Sequence, residues 1–279
     1  MGADIKNLRT RIKSVDSTLH LTKAMGLVAS SKIRRATEAM NKSKDYLKAY
    51  RDVVDALTSC EELKRSPYLE KREEERLCLI VVAGDRGLAG GYNANIFRLQ
   101  KEYEAHRVYA IGKRACEKYS KDLTLAESFS YEEAYALSKK LCEGFLNREF
   151  DKVAIICTKY ISIMSQEAQI KWLLPLSRGE KGAKSILFEP DEATILNSVI
   201  YEYIASSIFA AVRESYASEV AARRFAMDSA GKNAAEMLDG LHLKYNRARQ
   251  GAITQEITEI SSGAKGLAHK RKKNEGGKL

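Results

Sequence analysis

The sequence predicts a mixed α/β protein, in which one long helix from each end of the chain pairs antiparallel as a coiled coil around a central α/β domain. Three observations lead there. The only prolines in 279 residues are Pro67, Pro175 and Pro190, so both ends lack a residue that costs a helix interior about 3 kcal/mol or more. Apolar residues in both ends recur at intervals of three and four, the seam of a coiled coil. The middle holds short apolar runs separated by helical patterns, as strands alternating with helices do.

The first element, residues 1–60, carries its seam on Ile5, Leu8, Ile12, Val15 and Leu19. The seam continues through Met25, Val28, Ile33, Ala36 and Met40 and resumes at Leu47, Tyr50, Val54 and Leu57. One helix over 3–57 would be roughly 80 Å long at the α-helical rise. Charge-rich residues 61–76 read as a linker. The α/β domain spans 77–190. Leu77–Val82 is a buried strand running into the glycine-rich turn AGDRGLAGG, and Tyr92–Tyr103 is a helix. Val108–Ile111 is a short strand, and Lys113–Tyr119 and Tyr131–Leu146 are helices. Val153–Thr158 is a second buried strand and Ile170–Leu174 an edge strand closing before Pro175. This alternation predicts a parallel sheet covered on both faces.

The last long element, 191–268, carries Leu196, Val199, Tyr203, Ile208 and Val212, then Val220, Met227, Ala234, Leu238, Leu241 and Tyr245. It ends on Ile253, Ile257, Ile260, Ala264 and Leu267. As one helix over 194–268 it would span roughly 110 Å. Neither helix can bury its seam alone, and a domain joining their far ends brings them together antiparallel. Gly26, Gly231 and Gly251 each cost up to about 1 kcal/mol in a helix and predict reduced regularity there. Residues 269–279 read as a disordered basic tail.

Charge narrows the class. The chain carries 47 Lys and Arg against 37 Asp and Glu, a net +10. Residues 1–51 supply +8 of that, twelve bases against four acids. A composition of 44% apolar and 30% charged residues excludes a disordered chain and a membrane-spanning one, and no run approaches the roughly 20 apolar residues of a bilayer helix. The opening MGADIKNLRTRIKSV has no apolar core for secretion, Lys6 breaks the myristoylation pattern, and Asp4 and Asp16 argue against a transit peptide. A cytosolic protein is expected. Five scattered cysteines (Cys60, Cys78, Cys116, Cys142, Cys157) and four histidines build neither a zinc site nor a redox pair; reduced, mostly buried thiols are expected, and no metal or cofactor.

The motifs offer little catalysis. Gly84 to Gly91 spaces its glycines GxxGxxGG, not GxGxxG, with bulky Arg86 and Leu88 where a phosphate needs bare backbone, so a structural turn is the stronger reading. There is no GxxxxGK[ST], GxSxG or HExxH. The basic residues of the first helix (Lys6, Arg9, Arg11, Lys13, Lys23, Lys32, Arg34, Arg35) are spread around its girth. No aromatic residue for stacking precedes Tyr46. That arrangement fits an acidic protein sleeve or a solvated face better than nucleic acid.

Three separated stretches resemble the gamma subunit of F-type ATP synthase. They are Ile5–Ala36 (IKNLRTRIKSVDSTLHLTKAMGLVASSKIRRA), Ser218–Leu238 with Tyr245–Ala264 (SEVAARRFAMDSAGKNAAEML, YNRARQGAITQEITEISSGA), and Gly84–Ile96 (GDRGLAGGYNANI). Pro175 also falls in a similar LLPL. The resemblance implies a Rossmann-like central domain and a non-catalytic rotor shaft, one copy per complex. That shaft turns inside an α3β3 hexamer, with epsilon and the c ring at its foot and no bound cofactor or nucleic acid. Carried over by motif, Lys23, Met25, Arg249, Gln250, Thr254, Glu256 and Glu259 are shaft contacts to β, the last five also packing against the N-terminal helix. Asp85, Arg86, Gly87, Gly90 and Gly91 are foot contacts to the c ring or epsilon. Ala89 stands where the family commonly has Cys, and Gly26 where it has a better helix former, which softens the shaft near Met25. The resemblance implies a bacterial protein, peripheral on the cytoplasmic face of the inner membrane. The alternatives are a basic coiled-coil protein that binds nucleic acid and a nucleotide-dependent enzyme built on 77–190.

Overall fold

Strand β1 (Leu77–Val82) is buried at all six positions, as an unbroken apolar run requires when both faces of a sheet are covered. It is central in a four-stranded sheet of order β2-β1-β3-β4, with β2 at Arg107–Ile111, β3 at Lys152–Tyr160 and β4 at Gln166–Leu174. The computed structural model describes residues 2–72, 76–120, 122–178, 189 and 191–275. β1 pairs parallel with both β2 and β3, Leu79 opposite Val108 and Ala154. β4, however, runs antiparallel to β3, which corrects the expected all-parallel sheet. The connection between them is the turn at Ile161–Ser165, closed by the Ser162 N–H on the Ser165 carbonyl at 3.0 Å. Five residues cannot hold the crossover that parallel strands need.

Alternate residues of β1 face two cores. Leu77, Leu79 and Val81 meet Ala154, Ile156, Tyr92 and Ile96, the last two from α2 (Tyr92–Gln100), and Ala115 from α3 (Lys113–Tyr119). Cys78, Ile80 and Val82 meet Leu141 and Phe145 of α4 (Tyr131–Leu146), Val54 and Leu57 of α1 (Gly2–Ser59), and Ile200, Ile204 and Ile208 of α5 (Glu192–Glu275). α4 starts on a capping box: the Ser130 hydroxyl accepts the Glu133 N–H at 3.2 Å, and the Glu133 carboxylate accepts the Ser130 N–H at 2.7 Å. The cysteines are all free, and burial raises the thiols of Cys78 and Cys142 to about 12 and of Cys157 to about 11.

Several expected boundaries change. The expected linker is packed over its described part, residues 61–72. They form 3-10 turns at Glu62–Arg65 and Pro67–Leu69, bury Leu63 and Tyr68, and stack Tyr68 on Phe145 with ring centroids 6.4 Å apart. The Arg72 guanidinium lies 4.1 Å above the Phe145 ring and donates to its carbonyl at 2.7 Å. α5 runs through to Glu275, so a disordered tail does not begin at 269; the run from His269 has no proline and good helix formers, and glycines return only at 276–277. Residues 276–279 of that expected tail lie outside the described residues. Both helices also pass unbroken through Gly26, Gly231 and Gly251.

The chain divides into two compact units, Met25–Met227 and, from its two ends, Met1–Ala24 with Asp228–Leu279. The larger therefore includes, with the sheet, the adjoining parts of α1 and α5. Inside it α1 and α5 are antiparallel: a methyl at Gly26 would lie 3.7 Å from Met227 Cβ, Ala29 and Ile33 cluster with Val220 and Ala221, and Lys44 pairs with Glu214.

Candidate functional site

Within the larger unit, the glycine-rich turn after β1 is where sheet and helix are joined by polar groups. The Gly84 N–H donates to Asn93 Oδ1 at 2.9 Å. The next two amides, of Asp85 and Arg86, donate to the two oxygens of Glu219 of α5, at 3.1 and 3.2 Å. Glu219 also receives a short bond from the Arg223 guanidinium one helical turn on, and Arg223 Nε donates to the Gly87 carbonyl at 3.1 Å. The Glu219 side chain is 2% exposed. A methyl at Gly84 would lie 3.0 Å from Glu219 Cδ and 3.1 Å from Asn93 Oδ1, so a larger residue there makes the carboxylate or the amide give by a few tenths of an ångström. Asp85 turns inward instead. Its carboxylate accepts the N–H groups of Lys113, Ala126 and Glu127 at 3.1, 2.9 and 2.8 Å, stitching the loop before α4 to the turn.

More ties extend this polar face of α5. The Ser215 hydroxyl accepts the Thr158 N–H at 2.9 Å, and the Tyr92 hydroxyl donates to the Ser215 carbonyl at 2.9 Å. Arg213 donates to the carbonyls of Glu127 and Phe129 at 3.2 and 2.8 Å. Lys32 of α1 meets Glu127 at 2.6 Å, and this bond holds the Glu127 carboxyl below its ordinary range. Glu214, almost fully buried, is bracketed by Lys44 of α1 at 2.7 Å and Lys171 of β4 at 3.0 Å. Burial alone would raise its carboxyl; the two ammonium groups outweigh that and hold it low.

In the smaller unit the helices carry a narrower seam. Ile5, Leu8, Ile12, Val15 and Leu19 are half-buried; Thr22, Ala234, Leu238 and Leu241 are buried. A methyl at Gly231 would lie 3.5 Å from Thr22 Oγ1. Counting antiparallel from that pair, the twenty residues back to Gly2 bring its partner to about Gly251. Past that point α5 has no facing helix among the described residues. Ile253, Ile257 and Ile260 are accordingly 47%, 62% and 73% exposed. Of the residues expected to pack against the N-terminal helix, Thr254, Glu256 and Glu259 lie past that point, and Arg249 and Gln250 lie beside the first turn of α1.

A family model described as ATP synthase matches residues 4–267. The chain is 40% identical over 280 residues to the ATP synthase gamma chain of Ruminococcus albus, covering 93% of this chain and 97% of that one. The chain belongs to the ATP synthase gamma-chain family. The gamma chain of Geotalea uraniireducens is 35% identical over 284 residues. The Acetobacterium woodii chain, named sodium ion specific, is 35% identical over 301 residues, covering 96% of this chain and all of that one. Among solved structures, a chain of the Euglena gracilis mitochondrial ATP synthase (OSCP, F1 and c ring) superposes with a TM-score of 0.68 at 19% identity, covering 98% of this chain and 97% of that one. One from the central stalk and c ring of the Tetrahymena thermophila enzyme gives 0.60 at 22%, covering 75% and 99%. The gamma-chain fold is thus shared at low identity.

Against this family background the expected contact residues divide. Lys23, Arg249, Gln250, Thr254, Glu256 and Glu259 are exposed, and Met25 is half-buried. The Thr254 hydroxyl donates to the Gln250 carbonyl at 2.9 Å, and Gln255 Nε2 donates to Glu259 at 2.8 Å, both within one helix. In the turn, Arg86, Gly90 and Gly91 are exposed, Arg86 facing Glu127 at 3.6 Å, and Gly87 is half-buried with its carbonyl taken by Arg223. Asp85 is buried, 8% exposed, with three amides on its oxygens. It is a staple inside the domain, not an outward contact. Glu219 and Arg223 lie inside the Ser218–Leu238 stretch, but neither they nor Glu214 belongs to a motif that points to the turn. Their one signal is charge amid alanine and serine in a helix, with Glu219 and Arg223 at i, i+4.

Proposed function

We propose that the chain is the central rotor shaft of an F-type ATP synthase. Ion flow through a membrane ring turns it, and its turning drives ATP synthesis or hydrolysis at catalytic sites that lie on other subunits. The observation that carries this reading is family membership over residues 4–267, together with an α5 that outruns α1. The partners are α and β subunits around the helices and epsilon and the c ring at the α/β domain. The chain is peripheral, on the cytoplasmic face of a bacterial membrane. The nucleic-acid alternative has no comparable support.

A shaft shifts a β site only through contacts that differ between that site's states; moving one from 1:99 to 99:1 takes roughly 5.5 kcal/mol. Such a load requires the α/β domain and the helices to turn as one piece. The apolar core shared by the sheet, α1 and α5 supplies bulk stiffness. The polar ties from Lys32, Lys44, Arg213, Glu214 and Glu219 resist sliding along the helix axis. Lys23, Met25, Arg249, Gln250, Thr254, Glu256 and Glu259 are the proposed β contacts, and Arg86, Gly90 and Gly91 the outward groups of the turn.

The test is a complex assembled with α and β subunits. Arg249→Ala with Gln250→Ala removes exposed donors worth about 1.5–3 kcal/mol each when charge-assisted. ATP hydrolysis should fall at least tenfold while circular dichroism of the free chain keeps its helix content. Failure of the parent chain to assemble with such subunits would refute the rotor reading. Unchanged hydrolysis by the variant would refute only the contact assignment.

A further inference from the structure

In open α/β sheets, ligands sit in the crevice beyond the carboxyl ends of the strands where chain order reverses. Here β1 continues to β2 on one side and has β3 on the other, so the reversal lies between β1 and β3. The turn leaving β1 presents two adjacent backbone N–H groups, of Asp85 and Arg86, toward one point. The Arg223 guanidinium reaches the same point. Two amides and a guanidinium make a cradle for an oxyanion. The carboxylate of Glu219 occupies it, using both oxygens, 2% exposed.

We propose that this crevice is an anion-binding site whose resident ligand is the chain's own Glu219, the C-terminal helix being docked on the glycine-rich turn as a bound carboxylate would be. Three features favour a cradle over a chance ion pair. Each oxygen takes its own backbone amide, which an ordinary helix-surface pair does not require. Gly84 is bare where any side chain would press on the carboxylate carbon. Arg223 does more than neutralise, since its Nε is committed to the Gly87 carbonyl and so aims the fork at the cradle. It follows that, with the Glu219 side chain removed, the site accepts a small carboxylate or a phosphate-type oxyanion from solution.

The test uses the full-length chain and reads its thermal midpoint, so it stands apart from the rotor reading. Glu219→Ala leaves the Asp85 and Arg86 amides and the Arg223 Nη2 without their acceptor, and its midpoint should fall by roughly 5–15 °C. Formate at about 0.1 M should recover roughly a third or more of that loss, whereas the parent should gain no more from formate than from chloride. A midpoint equal to the parent's overturns the proposal. So does a loss that formate restores no better than chloride. Should the alanine variant not fold, Glu219→Gln fills the space but sets an NH2 against a donor; a lowered midpoint indifferent to formate supports the cradle, and a midpoint matching the parent's overturns it.

Discussion

The two parts of α5 share one backbone and one apolar rhythm but live in different surroundings. From Leu196 to Val220 the helix is a core element: Ile200, Ile204, Ile208 and Val212 are wholly buried, and every residue from Ile204 to Ile208 is buried. Beyond Asp228 only Ala234, Leu238 and Leu241 are buried among the described residues, and the isoleucines at 253, 257 and 260 face outward. The difference lies in the partner. A 3,4 seam is a necessary condition for burial, and the length of the facing element decides whether it is met.

The sharpest way to break that comparison is a matched pair of truncations. Ile204→Ala, in the wholly buried part, should cost about 2–5 kcal/mol. Ile257→Ala, in the part past the end of α1, should stay within about 0.5 kcal/mol of the parent. Urea unfolding of the free chain checks both. Equal costs would mean that 253–260 is covered in the free chain after all.

A middle-sized effect tests whether polar ties stiffen the core part. Lys44→Ala with Lys171→Ala leaves Glu214 buried without a counter-charge. We expect a loss of about 2 kcal/mol at pH 7, below the 3–5 of a fully buried pair because the lysines are 41% and 40% exposed. The pH dependence has a definite sign. In the parent the Glu214 carboxyl is held below its unfolded value, so its contribution is complete above about pH 4.3 and fades as pH falls through the folded value. The difference between parent and variant should therefore be widest near neutrality and narrow as pH falls below about 4.3 toward and through the folded value. A gap that stays constant down to pH 3 would assign the loss to lysine packing.

The smallest effect lies in the other part. A methyl at Gly240 meets nothing within 4 Å. Gly240→Ala should raise stability by about 0.5–1 kcal/mol through helix propensity alone. A loss at this site would show that the helices approach more closely there than the Gly231 and Thr22 pair suggests.

Much of this was legible beforehand because the signals were local. The apolar run Leu77–Val82, the amphipathic period of Tyr131–Leu146 and the proline-free ends each carry their structure within a few residues. The direction of β4 was missed because orientation depends on the length of the Ile161–Ser165 turn, whereas apolar content suggests only a strand. Residues 61–72 looked like a linker by charge, yet Arg72 and Tyr68 are drawn in by Phe145, more than seventy residues away. The roles of Asp85 and Glu219 were illegible for the same reason. A single carboxylate answering amides across the fold leaves no period and no motif. Among the expected contacts, the resemblance fixed positions along the chain but not which way Asp85 would turn.

The smaller unit is made only from the two ends of the chain, residues 1–24 and 228–279. Its halves are thus separated by some two hundred residues of synthesis. At ribosomal rates of about 5–20 residues per second, the first helix waits roughly 10–40 s for its partner. Throughout that interval Leu8, Ile12, Val15 and Leu19 have no mate within their own molecule, while the sheet and its helices can already assemble. The architecture therefore imposes a birth order in which the shaft closes last. The nascent protein is most exposed to misassociation just before residues 231–251, which face that seam, leave the ribosome.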